Sequence, residues 1–162
     1  MTPQETAARM TQKAARDLVL ALNATPAERL NWQPEGIARS IFEQLTECIG
    51  ANYKWSRILS EGSYRNPTEA EWDADTSGVT LENLGARLVE SADALAATLR
   101  GLDDAFVATE APLPWNDAVT RSWAEACFHA YWNMIYHEGQ IGYIQTLYGD
   151  TEEHADSGPY GE

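Results

Sequence analysis

Residues 132–150 read WNMIYHEGQIGYIQTLYGD, the centre of a helical pattern that begins near Thr120 and stops at Gly149. At 100° per residue, one face of this helix carries mostly apolar side chains. That face comprises Trp123, Cys127, Ala130, Met134, His137, Ile141, Ile144 and Tyr148. A second apolar face comprises Phe128, Trp132, Ile135, Tyr136 and Tyr143. A helix that is apolar on two sides is typical of a central helix or of one shared with another subunit.

His137 lies near the middle of the first face, where a leucine would be expected. Asn133 precedes it by one helical turn, and Gln140 follows it by almost one turn. Three side chains that form hydrogen bonds or ligate metals therefore border one apolar stripe. This pattern is the best candidate for a functional site in the chain, but spacing alone favours a core histidine that a neighbouring side chain satisfies.

Three further helices are predicted from apolar stripes and capping residues. Together with the last helix they cover residues 4–23, 35–60, 80–100 and 120–149. Residues 61–78 form a long acidic connection, and a crossover of this length departs from simple up-and-down topology. The sequence therefore predicts an all-α four-helix bundle within residues 1–150.

Two segments lie outside the predicted helices. Residues 103–117 contain two helix-breaking prolines, and we predict a loop at one end of the bundle with Phe106 and Val107 extended. Residues 151–162 are polar and acidic, and we predict a flexible tail.

Composition excludes several classes of protein. A net charge of −14 with only 11 Lys and Arg argues against a nucleic-acid partner, because phosphate binding depends on basic side chains. No run approaches the roughly 20 apolar residues of a membrane span. The first ten residues lack the pattern of a signal peptide, so we expect a cytoplasmic protein. Cys48 and Cys127 lie on separate helical patterns and are predicted to be buried, reduced thiols.

Glu47 lies at the edge of the apolar stripe of the second helix, on the same side as Ser40, Ala51 and Ile58. It therefore points either into a groove between helices or into solvent. Charge alone favours solvent, because an unpaired glutamate is rarely fully buried.

Several sequence features together resemble the DinB/YfiT-like family of bacterial four-helix-bundle metalloenzymes. They are the four helices, the long connection after the second, and the phrase at 132–150. The most specific motifs are Trp32-Gln33-Pro34, Ser40-Ile41 leading to Glu47, and His137-x-Gly139-Gln140. The likeness covers nearly the whole chain and implies the same fold.

The resemblance also implies a divalent metal ion. The family typically holds it with three histidines, one from the second helix and an H-x-x-x-H pair from the last. The matching positions here are Glu47, Asn133 and His137. A carboxylate, an amide carbonyl and an imidazole form a harder and weaker ligand set than three imidazoles, and the expected ion is Zn²⁺, Ni²⁺ or Mn²⁺. The alternative is that these side chains satisfy one another without an ion.

Two other polar residues of the last helix are implied near this site. Gln140 and His129 are expected to support the ligands or to contact a substrate. His129 lies two turns from His137, roughly 12 Å along the axis, which is too far to ligate the same ion.

The resemblance implies a metal-dependent enzyme that transfers a group to or from a low-molecular-weight thiol, whose thiolate the metal would make nucleophilic. Its partners would be a small-molecule substrate or thiol, and a second copy in a homodimer. The alternative is a non-enzymatic bundle that has lost the metal and serves small-molecule binding or dimerisation.

Overall fold

The computed structural model of the chain describes residues 1–114 and 116–155. Trp115 of the predicted loop and residues 156–162 of the predicted tail lie outside the described residues. The elements in chain order are α1 (Pro3–Ala24), α2 (Ile41–Glu61), α3 (Glu69–Thr76), α4 (Leu84–Arg100), α5 (Asp104–Val107), β1 (Glu110–Leu113), β2 (Asn116–Ser122), α6 (Trp123–Ala126) and α7 (His129–Leu147).

Four long helices, α1, α2, α4 and α7, form the bundle, and the prediction of an all-α four-helix bundle is confirmed. Both α1 and α2 pack against α4 and α7, so α7 lies between the first two helices. Gly85 lies where α1 and α4 pack closely, and a Cβ at this position would lie 3.3 Å from Cδ2 of Leu22. Within the described residues, no helix is both long and apolar enough to span a membrane.

The core divides into two clusters of buried apolar residues along the bundle axis. Between them lie three fully buried polar side chains, Thr11 on α1, Asn52 on α2 and Ser91 on α4. Asn52 Nδ2 donates to Ser91 Oγ at 3.0 Å and lies 3.9 Å from Sδ of Met134 on α7. We call these three residues the polar layer, and through Met134 it touches all four helices of the bundle.

The second helix begins later than its apolar pattern predicts. It was predicted from residue 35, but α2 begins at Ile41, and residues Pro34–Gly36 form a separate 3₁₀ turn. Glu35 has φ 55° and Gly36 has φ 71°, which a right-handed helix cannot accommodate. Ser40 then caps α2 in a reciprocal capping box with Glu43.

The last helix also differs from its predicted range of 120–149. Residues up to Ser122 belong to a hairpin in which Thr120 pairs with Pro112, so the helical segment starts at Trp123. It is interrupted at residues 127–128 before α7 begins. The pair Phe106-Val107, predicted to be extended, lies in the short helix α5, which the side chain of Asp103 caps.

The connection at 61–78 contains the two-turn helix α3, which packs on α2. Trp72 of α3 lies directly over Gly50 of α2, where a Cβ would come within 2.6 Å of the indole ring. The second apolar face of the last helix was predicted to be buried by the long connections or by a partner. Within the described chain the connections leave it open, with Trp132 and Tyr143 64% and 66% exposed.

Candidate functional site

A cavity of about 800 Å³ lies between the start of α2 and the middle of α7. Its polar wall consists of Arg39, Gln44, Glu47, Asn133, His137 and Gln140. Its apolar wall includes Trp132, Tyr136, Tyr143, Ile144 and Leu147. The cavity thus contains Glu47, Asn133, His137 and Gln140 of the predicted site, which come from two different helices.

The N-terminus of α2 is held in place by the segment before it. Gln33 donates to the Glu43 carboxylate at 2.9 Å, and Glu43 accepts from the backbone N–H of Ser40 at 2.7 Å. The hydrogen bond from Gln33 is the main reason that the pKa of Glu43 lies below its usual value. These bonds fix the turn that carries Arg39. Glu47 follows Glu43 by one turn of α2 and faces α7.

His137 is 3% exposed, and its ring orientation is set by two glutamines. Nδ1 lies 3.1 Å from Oε1 of Gln44 and 2.9 Å from Oε1 of Gln140. The amide of Gln44 is oriented by its other end, because Nε2 donates to the backbone carbonyl of Arg39 at 3.2 Å. An acceptor therefore faces Nδ1, which carries the proton and leaves the lone pair of Nε2 directed into the cavity.

The imidazole of His137 is kept neutral by its surroundings. Burial lowers its pKa, and the positive charge of Arg39 lowers it further, while the hydrogen bond with Gln140 acts in the opposite direction. A neutral imidazole with a free Nε2 lone pair is the form that ligates metals.

Glu47 is the side chain that faces Nε2. Its Oε2 atom lies 3.6 Å from Nε2 of His137, and the same carboxylate forms an ion pair with the guanidinium of Arg39. Apart from this ion pair, Oε2 has no hydrogen-bond donor among the described residues. The glutamate thus lies in the groove between helices, the first of the two orientations that the sequence left open.

The polar wall has the properties of a cation site. Glu47 Oε2, Asn133 Oδ1 and His137 Nε2 are all buried atoms without a hydrogen-bond partner in the described part of the chain. Two oxygens and an imidazole nitrogen are donors that Zn²⁺ and Mn²⁺ accept. The described residues contain no group of three His, Cys, Asp or Glu side chains placed to hold an ion, so a third donor at this wall would have to come from Asn133.

The other two predicted site residues differ in position. Oε1 of Gln140 contacts Nδ1 of His137, and Gln140 lines the cavity. The ring of His129 instead packs edge-on against Trp55, with centroids 4.4 Å apart, and His129 does not line this cavity. Burial lowers the pKa of His129.

Gln44 and Arg39 are part of the site, and the sequence analysis did not identify either. Gln44 had a detectable signal, because it is a polar residue between Ile41 and Cys48 on the buried face of α2. Arg39 could not have been identified from the sequence, since it precedes the helix and belongs to no periodic pattern.

Comparison with known proteins places the chain in a family. The sequence profile of the DinB superfamily matches residues 10–141. The chain belongs to the DinB superfamily. No curated protein sequence matches it. Among solved structures, this DinB-superfamily chain is similar to YfiT from Bacillus subtilis, with 15% identity and a TM-score of 0.67 over 90% of this chain and 87% of the other. YfiT is described as a probable metal-dependent hydrolase with an unusual four-helix bundle topology.

Proposed function

We propose that this DinB-superfamily protein binds a divalent metal ion through Glu47, Asn133 and His137, and that it is a metal-dependent enzyme acting on a small molecule. One observation carries the proposal: Glu47 Oε2 and His137 Nε2 are 3.6 Å apart and buried, and in the described chain neither has a hydrogen bond, the only other close partner of Oε2 being the ion-paired Arg39. Two ligands of a tetrahedral zinc ion at about 2.1 Å would be roughly 3.4 Å apart.

The residues of the cavity have distinct roles in this proposal. Gln44 and Gln140 hold the proton of His137 at Nδ1, so that Nε2 remains available. Trp132, Tyr136 and Tyr143 form an apolar wall on one side of the cavity, on which the apolar part of a substrate would pack. A bound divalent ion would stabilise the anionic form of a nucleophile near neutral pH.

The nucleophile is expected to arrive with the substrate. The lining residues include no Cys, Ser or Lys. Both cysteines of the chain are buried outside the cavity, and burial raises the pKa of each thiol. We therefore propose transfer of a group to or from a low-molecular-weight thiol, in agreement with the sequence resemblance.

A specific observation supports the non-enzymatic alternative as well. Glu47 pairs with Arg39, and Nδ1 of His137 is hydrogen bonded to two glutamines, so the carboxylate and one side of the ring have partners without an ion. In that case the cavity would only bind a small molecule.

Elemental analysis of untagged protein by mass spectrometry separates the two functions. The enzyme requires close to one ion per chain, and Asn133→Ala should weaken metal binding in calorimetry by about tenfold or more. Thr146→Ala, an exposed position on the same helix, is the matched control. Protein without metal, and without measurable affinity for Zn²⁺ or Mn²⁺, would favour the non-enzymatic alternative.

The metal-loaded protein then distinguishes the reaction type. Loss of free thiol in the presence of an electrophilic acceptor is expected for thiol transfer. Release of acid from an ester without loss of thiol would instead indicate hydrolysis, the reaction class that the description of YfiT names.

A further inference from the structure

The charge distribution around the cavity singles out Arg39. It is the only Lys or Arg among the residues that line the cavity, in a chain with a net charge of −14. Its side chain is 61% exposed, whereas the side chain of Glu47, with which it pairs, is 30% exposed and has a buried Oε2 atom. The guanidinium thus approaches the carboxylate from the solvent side, and it is free to rotate outward when the pair breaks.

We propose that Arg39 binds the anionic group of the substrate. In the absence of metal, the Glu47 carboxylate forms an ion pair with Arg39, and a metal ion that binds this carboxylate releases Arg39. The second part rests on the proposed function, because it needs an ion at Glu47. The first part does not, since any change that removes the carboxylate charge releases the same guanidinium.

The two roles of Glu47 compete, because Arg39 pairs with Oε2, the same oxygen that faces Nε2 of His137. A carboxylate that ligates a divalent ion has lost most of its attraction for a second cation, and the ion itself repels the guanidinium. An ion pair exposed to this extent is also weak, because solvent screens it and two flexible side chains are ordered to form it. The pair is therefore easily exchanged.

The backbone of Arg39 keeps the released side chain beside the cavity. Its carbonyl accepts from Nε2 of Gln44, and the next residue, Ser40, is fixed by the capping box with Glu43. A guanidinium held at its base in this way presents a planar pair of donors that suits a carboxylate.

The neighbouring wall indicates what carries the anionic group. The rings of Trp132 and Tyr136 stack with centroids 5.9 Å apart, and both are more than half exposed at the cavity. A flat apolar body would pack on these rings, and a cavity of about 800 Å³ holds a molecule of that size. The substrate class that fits is an aromatic or similarly flat apolar molecule with one carboxylate.

The test uses chelator-treated protein and two probes of the same shape, 4-fluorobenzoate and its neutral counterpart 4-fluorobenzamide, titrated by ¹⁹F NMR. Glu47→Gln removes the carboxylate charge without metal. We expect this variant to bind 4-fluorobenzoate roughly tenfold more tightly than wild type, as a charge-assisted bidentate pair should. Adding Arg39→Gln should abolish the gain. Adding Arg16→Gln, which removes an equal charge from an exposed site on α1, should leave it.

The proposal would be overturned if the single variant Glu47→Gln and the double variant Glu47→Gln/Arg39→Gln bound 4-fluorobenzoate with equal affinity. A parallel gain for 4-fluorobenzamide would overturn it too, because that gain could not come from charge. Thermal melting of each variant checks its folding.

A second arm uses proteins in which Glu47 is intact. One equivalent of Zn²⁺ should increase 4-fluorobenzoate binding to wild type but not to Arg39→Gln, and a gain that persists without Arg39 would contradict the proposal. If Glu47→Gln gives the expected gain but Zn²⁺ does not bind, the anion site is supported and the metal-dependent function is wrong.

Discussion

Gln44 and His137 hold each other in one orientation across the interface of α2 and α7, with Oε1 of the amide 3.1 Å from Nδ1 of the imidazole. The contact is buried, since Gln44 is 2% and His137 is 3% exposed. The other end of the amide is bonded to the backbone before α2, so the ring orientation depends on a chain of contacts that begins outside both helices.

The first prediction concerns the cost of removing the ring. His137→Ala leaves the carbonyl oxygens of Gln44 and Gln140 without their donor, so the free energy of unfolding should fall by about 1–3 kcal/mol. Chemical denaturation measures the change. His154→Ala, a more exposed histidine paired with Asp150, should change it by less than about 0.5 kcal/mol. A His137→Ala protein that melts like wild type would show that the ring does not stabilise the core.

The second prediction restores three imidazoles at the site. In Glu47→His with Asn133→His, the three rings should converge on one point, and Zn²⁺ or Ni²⁺ should bind far more tightly than to wild type in calorimetric titration. The control Glu47→His with Thr146→His has the same number of histidines, but its second ring is on an exposed position away from the cavity. Equal affinity in the two variants would mean that the three positions do not share an ion.

The third prediction concerns the contact of α3 with α2. Gly50→Ala places a methyl group within 2.6 Å of the Trp72 ring, so Trp72 must move and stability should fall by about 1–3 kcal/mol. Trp72→Leu in the same protein should recover part of the loss, because the smaller side chain relieves the overlap. Gly142→Ala is the matched control, since nothing lies within 4 Å of the new methyl group and the helix should gain about 0.5–1 kcal/mol.

The fourth prediction concerns thiol chemistry. Cys48 is 0% and Cys127 is 2% exposed. Burial raises the pKa of Cys127 to about 11 and also raises that of Cys48, so both thiols stay protonated near about pH 8 and react poorly. A disulfide reagent should label neither in native protein and both in concentrated guanidinium chloride. Rapid native labelling of either cysteine would contradict the buried position.

The fifth prediction is a homodimer through the outer face of α7, which exposes Trp132, Tyr136 and Tyr143. Because the same rings line the cavity, the partner would cover part of its open side. Exposed aromatic patches of this kind commonly mark interfaces. Light scattering should give twice the chain mass for wild type and one chain mass for Trp132→Lys with Tyr143→Lys. Leu20→Lys, an exposed apolar position on α1, should remain dimeric. A wild-type monomer at high concentration would reject this assembly.

Periodicity predicted the bundle well, because buried stripes repeat every 3.6 residues in each long helix. It also predicted that His137 is buried and that Gln140 is beside it, since those residues are neighbours on one helix. The starts of α2 and of the last helix could not be found in this way. Glu35 and Gly36 have backbone angles that apolar spacing does not encode, and the strand before Trp123 is almost entirely exposed and therefore lacks an alternating pattern.

The position of Glu47 could not be predicted from its own helix. At the edge of an apolar stripe, its side chain could point either into solvent or into a groove between helices. Which of the two occurs depends on how α2 is rotated about its axis relative to α7. That rotation is set by contacts between distant residues, among them Gln44 with His137 and Asn52 with Met134. The ion pair between Arg39 and Glu47 could not be predicted from the sequence for the same reason.

The polar layer has a consequence for the accuracy of the site. A slide of α2 along its neighbours by one helical turn, about 5.4 Å, would keep many apolar contacts but would separate the buried amide of Asn52 from Ser91 of α4 and Met134 of α7. The Asn52 amide thus favours one alignment of α2 along its neighbouring helices. Glu47 lies on the same helix as Asn52, and Asn133 is next to Met134 on α7. The contacts of Asn52 therefore help to keep Glu47 at the same height along the bundle axis as Asn133 and His137. Asn52→Leu should therefore loosen the alignment of the ligands from a position that touches none of them.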